Sequence, residues 1–368
     1  MNIKYYTIIL VWYNINDMEI MRKTLIILIF AFALFSCKSK ESGDSERYIM
    51  PEFKQKLSVT PKYINYVNKD RNFMDIYFML VKDDYLLLKS ADETNLIQVF
   101  NKNTGAYLTG IAPMGRGPGE YPMTVSFFFL DDTLCIYDRR QLIANYYDKD
   151  FINKRIPFKR IKLEGANGFI QIVPYRHGFI TAPLTYTRFI IQDKTGIQIG
   201  QYAQYPKFKA IDDSVAIRET LFFGNQEINI KPDHAKFVSA TFTGAIIEIF
   251  SLNGDRISLN KEIRLLPPTL LRRKDNTYTT SNESYVGFWD IKTTDDYIYM
   301  IFSGKKFKDH KKNNTGNYIY VYDWEGNPVK SFQINGGVYR FALDEDEQRI
   351  YLINFDKDGN ERIGYFDL

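Results

Sequence analysis

From about residue 55 onward the chain alternates apolar and polar positions, and no stretch holds a helical period between caps. Runs rich in Val, Ile, Phe and Tyr are broken by Asp83-Asp84, Asn103-Thr104-Gly105, Asp131-Asp132, Lys194-Thr195-Gly196, Asn253-Gly254, Glu325-Gly326-Asn327 and Asp358-Gly359-Asn360. Those residues tolerate tight-turn dihedrals or bond to their own backbone, so each predicts a hairpin. A looser repeat overlies the hairpins: an alternating apolar strand, a polar residue, a turn and a returning strand, at residues 97–101, 134–138, 189–193, 247–251, 319–323 and 363–367. Six copies spaced by roughly fifty residues match the repeat length of propeller blades. The expected fold is all-β: a six-bladed β-propeller of four-stranded antiparallel blades around a channel. Residues 339–343, 349–353 and 363–366 supply three strands of the last blade. Residues 57–61 or 63–67 are expected to donate the fourth, so that N- and C-terminal strands close the ring.

Composition agrees with this pattern. Tyr and Phe number 27 and 28 against 3 Trp, and with abundant Ile and Val they are strand formers. Apolar residues at 45% and charged residues at 25% furnish a large core and exclude disorder. The 48 basic and 44 acidic residues are spread along the chain for a net +4, which concentrates no field for nucleic acid. A nucleic-acid partner is therefore not expected. The two cysteines differ in character. Cys135 lies in the apolar run 133–137 and reads as a small buried hydrophobe rather than a nucleophile.

The N-terminal region carries an address. Met21-Arg22-Lys23 is basic, residues 24–35 are uninterruptedly apolar, and Ser36-Cys37 follows, the order of a secretory signal. The apolar run, about a dozen residues, is too short to cross a hydrocarbon core of about 30 Å as a helix. Leu34-Phe35-Ser36-Cys37 resembles the bacterial lipobox, with Phe35 bulkier than usual. That resemblance implies cleavage before Cys37 and acylation of its sulfur. Residues 1–20 have no signal logic and read as a non-native extension, 21–36 as a lipoprotein signal peptide, 37–54 as a flexible polar tether, and 55–368 as the propeller.

One loop is specific enough to suggest a family. Met114-Gly115-Arg116-Gly117-Pro118-Gly119-Glu120-Tyr121-Pro122 is similar to the G-x-G-P-G-E-[YF] loop after the first blade of TolB-like six-bladed propellers, found as lipoproteins in Gram-negative bacteria. Lys231-Pro232-Asp233-His234 is similar to that family's S-P-D-G turn, with Lys231 and His234 departing from it. The resemblance covers about residues 55–368 and implies a fold, not an activity.

Candidate chemistry is sparse. The loop residues Gly115, Gly117, Pro118, Gly119 and Glu120 are expected to be structural, since Pro118 and the following strand are wrong for a phosphate cradle. His177, His234 and His310 are isolated, the first two beside turn residues and the third inside the basic run 305–312. Asp131-Asp132, Asp212-Asp213 and Asp295-Asp296 read as exposed turns. No catalytic, cofactor-binding or metal-ligating residue is assigned, and no cofactor is expected. The expected function is that of a cell-envelope lipoprotein, held to the outer or inner membrane through acylated Cys37 and facing the periplasm or the surface. Its propeller would bind or scaffold a protein or glycan. The alternative is a lyase or hydrolase acting on a glycan or small metabolite at the channel mouth, with His177, His234 or a carboxylate cluster converging there.

Overall fold

The computed structural model describes residues 47–368 apart from 65–75, 91–93, 118, 123–124, 155, 165–168, 177, 184–186, 207–225, 273, 275–277, 311–314, 347, 357 and 359. Cys37 and the residues read as a signal peptide and an N-terminal extension lie outside the described residues, as do Pro118, His177 and Asp212-Asp213. Six antiparallel sheets follow one another along the chain, at residues 78–113, 125–162, 169–202, 226–266, 288–338 and 340–367. They are the blades of a six-bladed propeller, numbered here in that order.

Alternation explains why the blades form a ring. In blade 1, Leu87 and Val99 pack with Phe127 and Ile136 of blade 2. Their neighbours Leu86, Leu88 and Phe100 point the other way, against Ala342, Tyr351 and Ile353 of blade 6. Successive side chains on a strand face opposite sides, so each sheet must bury both faces between neighbours. Six such apolar clusters among the described residues join blade to blade around the ring. Each fully buried Leu, Ile or Phe in them contributes about 1.5–3 kcal/mol. Cys135 belongs to the cluster between blades 2 and 3, where burial pushes its thiol up from its ordinary value and keeps it unreactive.

The repeated polar residue after the apolar strand has a physical role. Asn101, Asp193 and Asp323 each follow or end a blade's third strand and accept backbone N-H groups two to four residues on, closing the next turn. Five of the six repeats read from the sequence are third strands; residues 134–138 are the second strand of blade 2. The misframing has a cause. Asp138 caps its own turn through the Arg140 and Gln141 amides, as Asp148 does after the true third strand Ile143–Tyr147.

Both candidate closing segments are used, in different ways. Lys62–Tyr63 pairs antiparallel with Glu361–Asp367 as the fourth strand of blade 6. Gln55–Val59 instead adds a fifth strand to blade 5, parallel to Pro328–Val338. The side chains of Gln55–Val59 are nearly all exposed, so backbone pairing rather than an apolar face decides where the segment goes. The seam between blades 6 and 1 is also fastened by the buried Lys102–Asp344 ion pair at 2.6 Å. The last residues assigned to the tether are not free. Ile49 donates its amide to the Arg264 carbonyl at 2.9 Å, and Phe53 is buried against Tyr320 at 4.5 Å between ring centroids. Ile49 and Phe53 thus pack with the folded ring.

Candidate functional site

The first strand of each blade lines the ring's axis, and with four strands per blade the chain returns to the end from which the next first strand begins. The channel thus has an interblade end and an opposite end formed by the hairpins joining first and second strands. It encloses about 980 Å³ and is lined from all six blades, a volume suited to a small ligand.

The hairpin end is built of strained turns. Asp83, Asp131, Arg176, His234 and Gln348 adopt φ between 49° and 59°, one in the first hairpin of blades 1, 2, 3, 4 and 6 respectively. This explains the departure from the S-P-D-G pattern: His234 takes the left-handed position where the family uses glycine. Its Nδ1 accepts the Arg176 amide at 3.3 Å, tying blade 4 to blade 3. The acidic pairs are turn formers with basic neighbours. Asp132 pairs with Lys82 of blade 1 at 3.1 Å, and Asp295 lies 3.9 Å from Lys231 of blade 4.

The other histidine and the basic run sit at the interblade end. Phe307–His310 forms a single helical turn. His310 is buried, not a loop residue open to solvent: it packs on Phe242 and Trp289, and burial followed by nearby Lys305 lowers its pKa to about 4. Lys306 and Lys308 are held by Glu283 at 2.8 and 2.6 Å. His234 and His310 thus line the channel from opposite ends. Among the described residues no three His, Cys, Asp or Glu side chains gather as a metal site.

The glycine loop connects blade 1 to blade 2 and does not line the channel. Its own Glu120 is the anion it holds: the carboxylate accepts the Gly117 amide at 2.7 Å, and a Cβ on Gly115 would fall 1.9 Å from Glu120 Oε2. Gly119 has a φ of +80°. Tyr121, which follows, is buried between blades 1 and 2 with its hydroxyl 2.5 Å from that of Tyr147.

The groups that give the channel its character were not legible as a motif. At its interblade end stand Lys89 of blade 1, Arg139 of blade 2, Glu227 of blade 4, Asp290 and Lys292 of blade 5, and Arg340 of blade 6. Asp290 sits on a bulge with φ 54°, where the register shifts between Trp289 and Ile291. Such a conformation costs about 1–3 kcal/mol for a residue other than glycine. It turns the carboxylate to accept from Lys292 Nζ at 2.5 Å and from the Phe341 amide at 2.8 Å. Glu227 has no such partner among the described residues, and burial holds its carboxyl above the usual range, with Arg340 opposing and Asp290 reinforcing the rise. A charged residue inside a first strand, as in Phe288–Thr293, is the signal that could have marked these positions.

Lys89 shows what that environment does. Burial, followed by Arg139 and Arg340, lowers its pKa to about 8 from an unfolded value of 10.5. Between these values the unfolded chain keeps a proton that the folded chain releases, so this group makes stability rise with pH across that window; below about pH 8 its full cost is present. Lys89→Met is therefore expected to stabilise the domain by about 1–3 kcal/mol at pH 7, the gain fading towards pH 10. Urea melts of both proteins at pH 7 and pH 9.5 measure it.

A family model described as TolB-like 6-blade propeller-like matches residues 59–346. The chain belongs to this TolB-like family. Among solved structures, the TolB-like chain is similar to a Bacteroides fragilis protein named only as a candidate exported protein, at 13% identity and a TM-score of 0.54 over 85% of this chain and all of that one. It also matches the WD40 domain of Neurospora crassa Pan2 at 10% identity and a TM-score of 0.45, over 80% of this chain and 79% of that one. A search of curated proteins finds no match. The first likeness shows a shared fold.

Proposed function

We propose that this TolB-like chain is a lipid-anchored envelope protein whose propeller binds a partner at the interblade end of its channel. The observation that carries the binding reading is the cluster of Lys89, Arg139 and Arg340 at a roomy channel mouth, none of them paired with a carboxylate among the described residues. Half-buried positive charge without an ion-pair partner is costly, and such groups cluster where they serve recognition or chemistry. The anchor rests on the apolar run before Cys37 and on the exported character suggested for the B. fragilis protein. Labelling with a palmitate analogue is expected to mark the wild-type chain in the membrane fraction. Cys37→Ala should abolish both label and sedimentation; undiminished label in the variant rules the anchor out.

A second reading is favoured by one residue. Glu227, with its carboxyl held above the usual range beside arginines, is what a lyase or hydrolase would use as a proton donor. Turnover of a saccharide that disappears in Glu227→Gln would establish the enzyme instead.

A further inference from the structure

We infer that Lys89, Arg139 and Arg340 form a carboxylate-binding site at the interblade end of the channel, serving a small acidic ligand such as a uronate-bearing saccharide or an organic acid. This inference rests on the binding reading above and names the ligand class. It starts from a contrast within the molecule. The fully buried cations have their own anions: Lys102 has Asp344, Lys292 has Asp290, and Arg188 has Glu248. These three do not.

Neutral groups of the frame fix them instead. Lys89 Nζ donates to the Val125 carbonyl at 2.6 Å, Arg139 Nε and Nη2 to Ser126 Oγ at 3.2 and 3.1 Å, and Arg340 Nε to the Tyr77 carbonyl at 2.6 Å. Arg340 also donates from Nη1 to the Tyr339 carbonyl at 3.1 Å and stacks over the Tyr339 ring at 4.5 Å. Arg139 Nη1 and Arg340 Nη2 find no protein acceptor among the described residues. The cations are thus held in place with donors to spare, the arrangement that binds an incoming anion without reordering. They come from blades 6, 1 and 2, so closure of the ring creates the site. All three line the same channel, and Arg139 and Arg340 both act on Lys89 to lower its pKa.

The site favours a carboxylate over a phosphate. Glu227 and Asp290 line the same channel and oppose a second negative charge on the ligand. Tyr77, Phe78 and Tyr339 add ring surface beside the cations for a carbon skeleton.

Calorimetry on the purified domain with galacturonate, lactate, neutral galactose and inorganic phosphate tests this. One of the two carboxylates is expected to bind, and which one does so identifies the source. Affinity should fall at least tenfold in Arg139→Gln and in Arg340→Gln, and several-fold between 50 and 300 mM salt on the wild type alone, a readout that survives a variant's misfolding. If neither carboxylate binds, if phosphate binds as tightly, or if folded arginine variants bind unchanged, the assignment is wrong. Binding of the neutral sugar alone would overturn it while leaving the broader binding reading intact.

Discussion

Arg188→Ala is expected to destabilise the propeller by about 3–5 kcal/mol, because it leaves Glu248 charged and alone between blades 3 and 4. Both side chains are almost wholly inaccessible, and Arg188 is among the largest fully buried groups. The contact is bidentate, Nη1 to Oε1 at 2.9 Å and Nη2 to Oε2, and the guanidinium also reaches Gln226 Oε1 and Ser239 Oγ at 3.4 Å. Phe189 and Phe250 lie 4.8 and 5.5 Å from its centre and exclude water from the pair. Glu248→Ala should cost as much by the mirror argument. Arg188→Met combined with Glu248→Leu should recover most of the loss, since an apolar pair leaves no orphaned charge, although Gln226 and Ser239 then lose a partner. Urea midpoints for the two single variants and the double variant check this; additive single effects would contradict a coupled pair.

That pair also shows where sequence reading reaches its limit. Strands, turns and blade number follow from local chemistry: alternation sets which faces are buried, and Asn or Asp closing a turn recurs from blade to blade. The same signal misframed blade 2, since Asp138 closes a different turn with the same side-chain chemistry. Glu248 stood in plain view inside an apolar strand, but its partner lies on another blade, and nothing local points from one to the other. The channel cluster is more extreme. Lys89 follows three leucines, Arg139 follows a strand, and Arg340 begins one, and each alone looks like a solvated end. Only the closed ring brings them together. His310 was likewise hidden, because the basic residues around it suggest exposure while the ring itself turns inward onto Trp289.

Deleting residues 48–63 is expected to have the largest effect of any change short of breaking a blade, costing more than about 5 kcal/mol and driving self-association beyond that of the full-length protein. The deletion removes the buried Phe53, worth about 3–5 kcal/mol as a Phe→Ala change, and the segments that cover the outer edges of 330–334 in blade 5 and 364–365 in blade 6. It also removes the Tyr63 hydroxyl that accepts from Asn354 Nδ2 at 2.7 Å, and the Tyr63 ring under Arg362 at 3.7 Å. Unpaired outer strands invite pairing with another copy. Phe53→Ala separates the two contributions: it should lower the urea midpoint yet leave the full-length elution volume unchanged, because the edges stay covered. A synthetic peptide of residues 48–63 added in trans should restore both stability and the full-length elution volume as its concentration rises, since binding only the folded ring must stabilise it. If the truncated protein melts with the full-length one, the strap is dispensable and the remaining seam contacts, Lys102–Asp344 and the blade 6 to blade 1 core, close the ring by themselves.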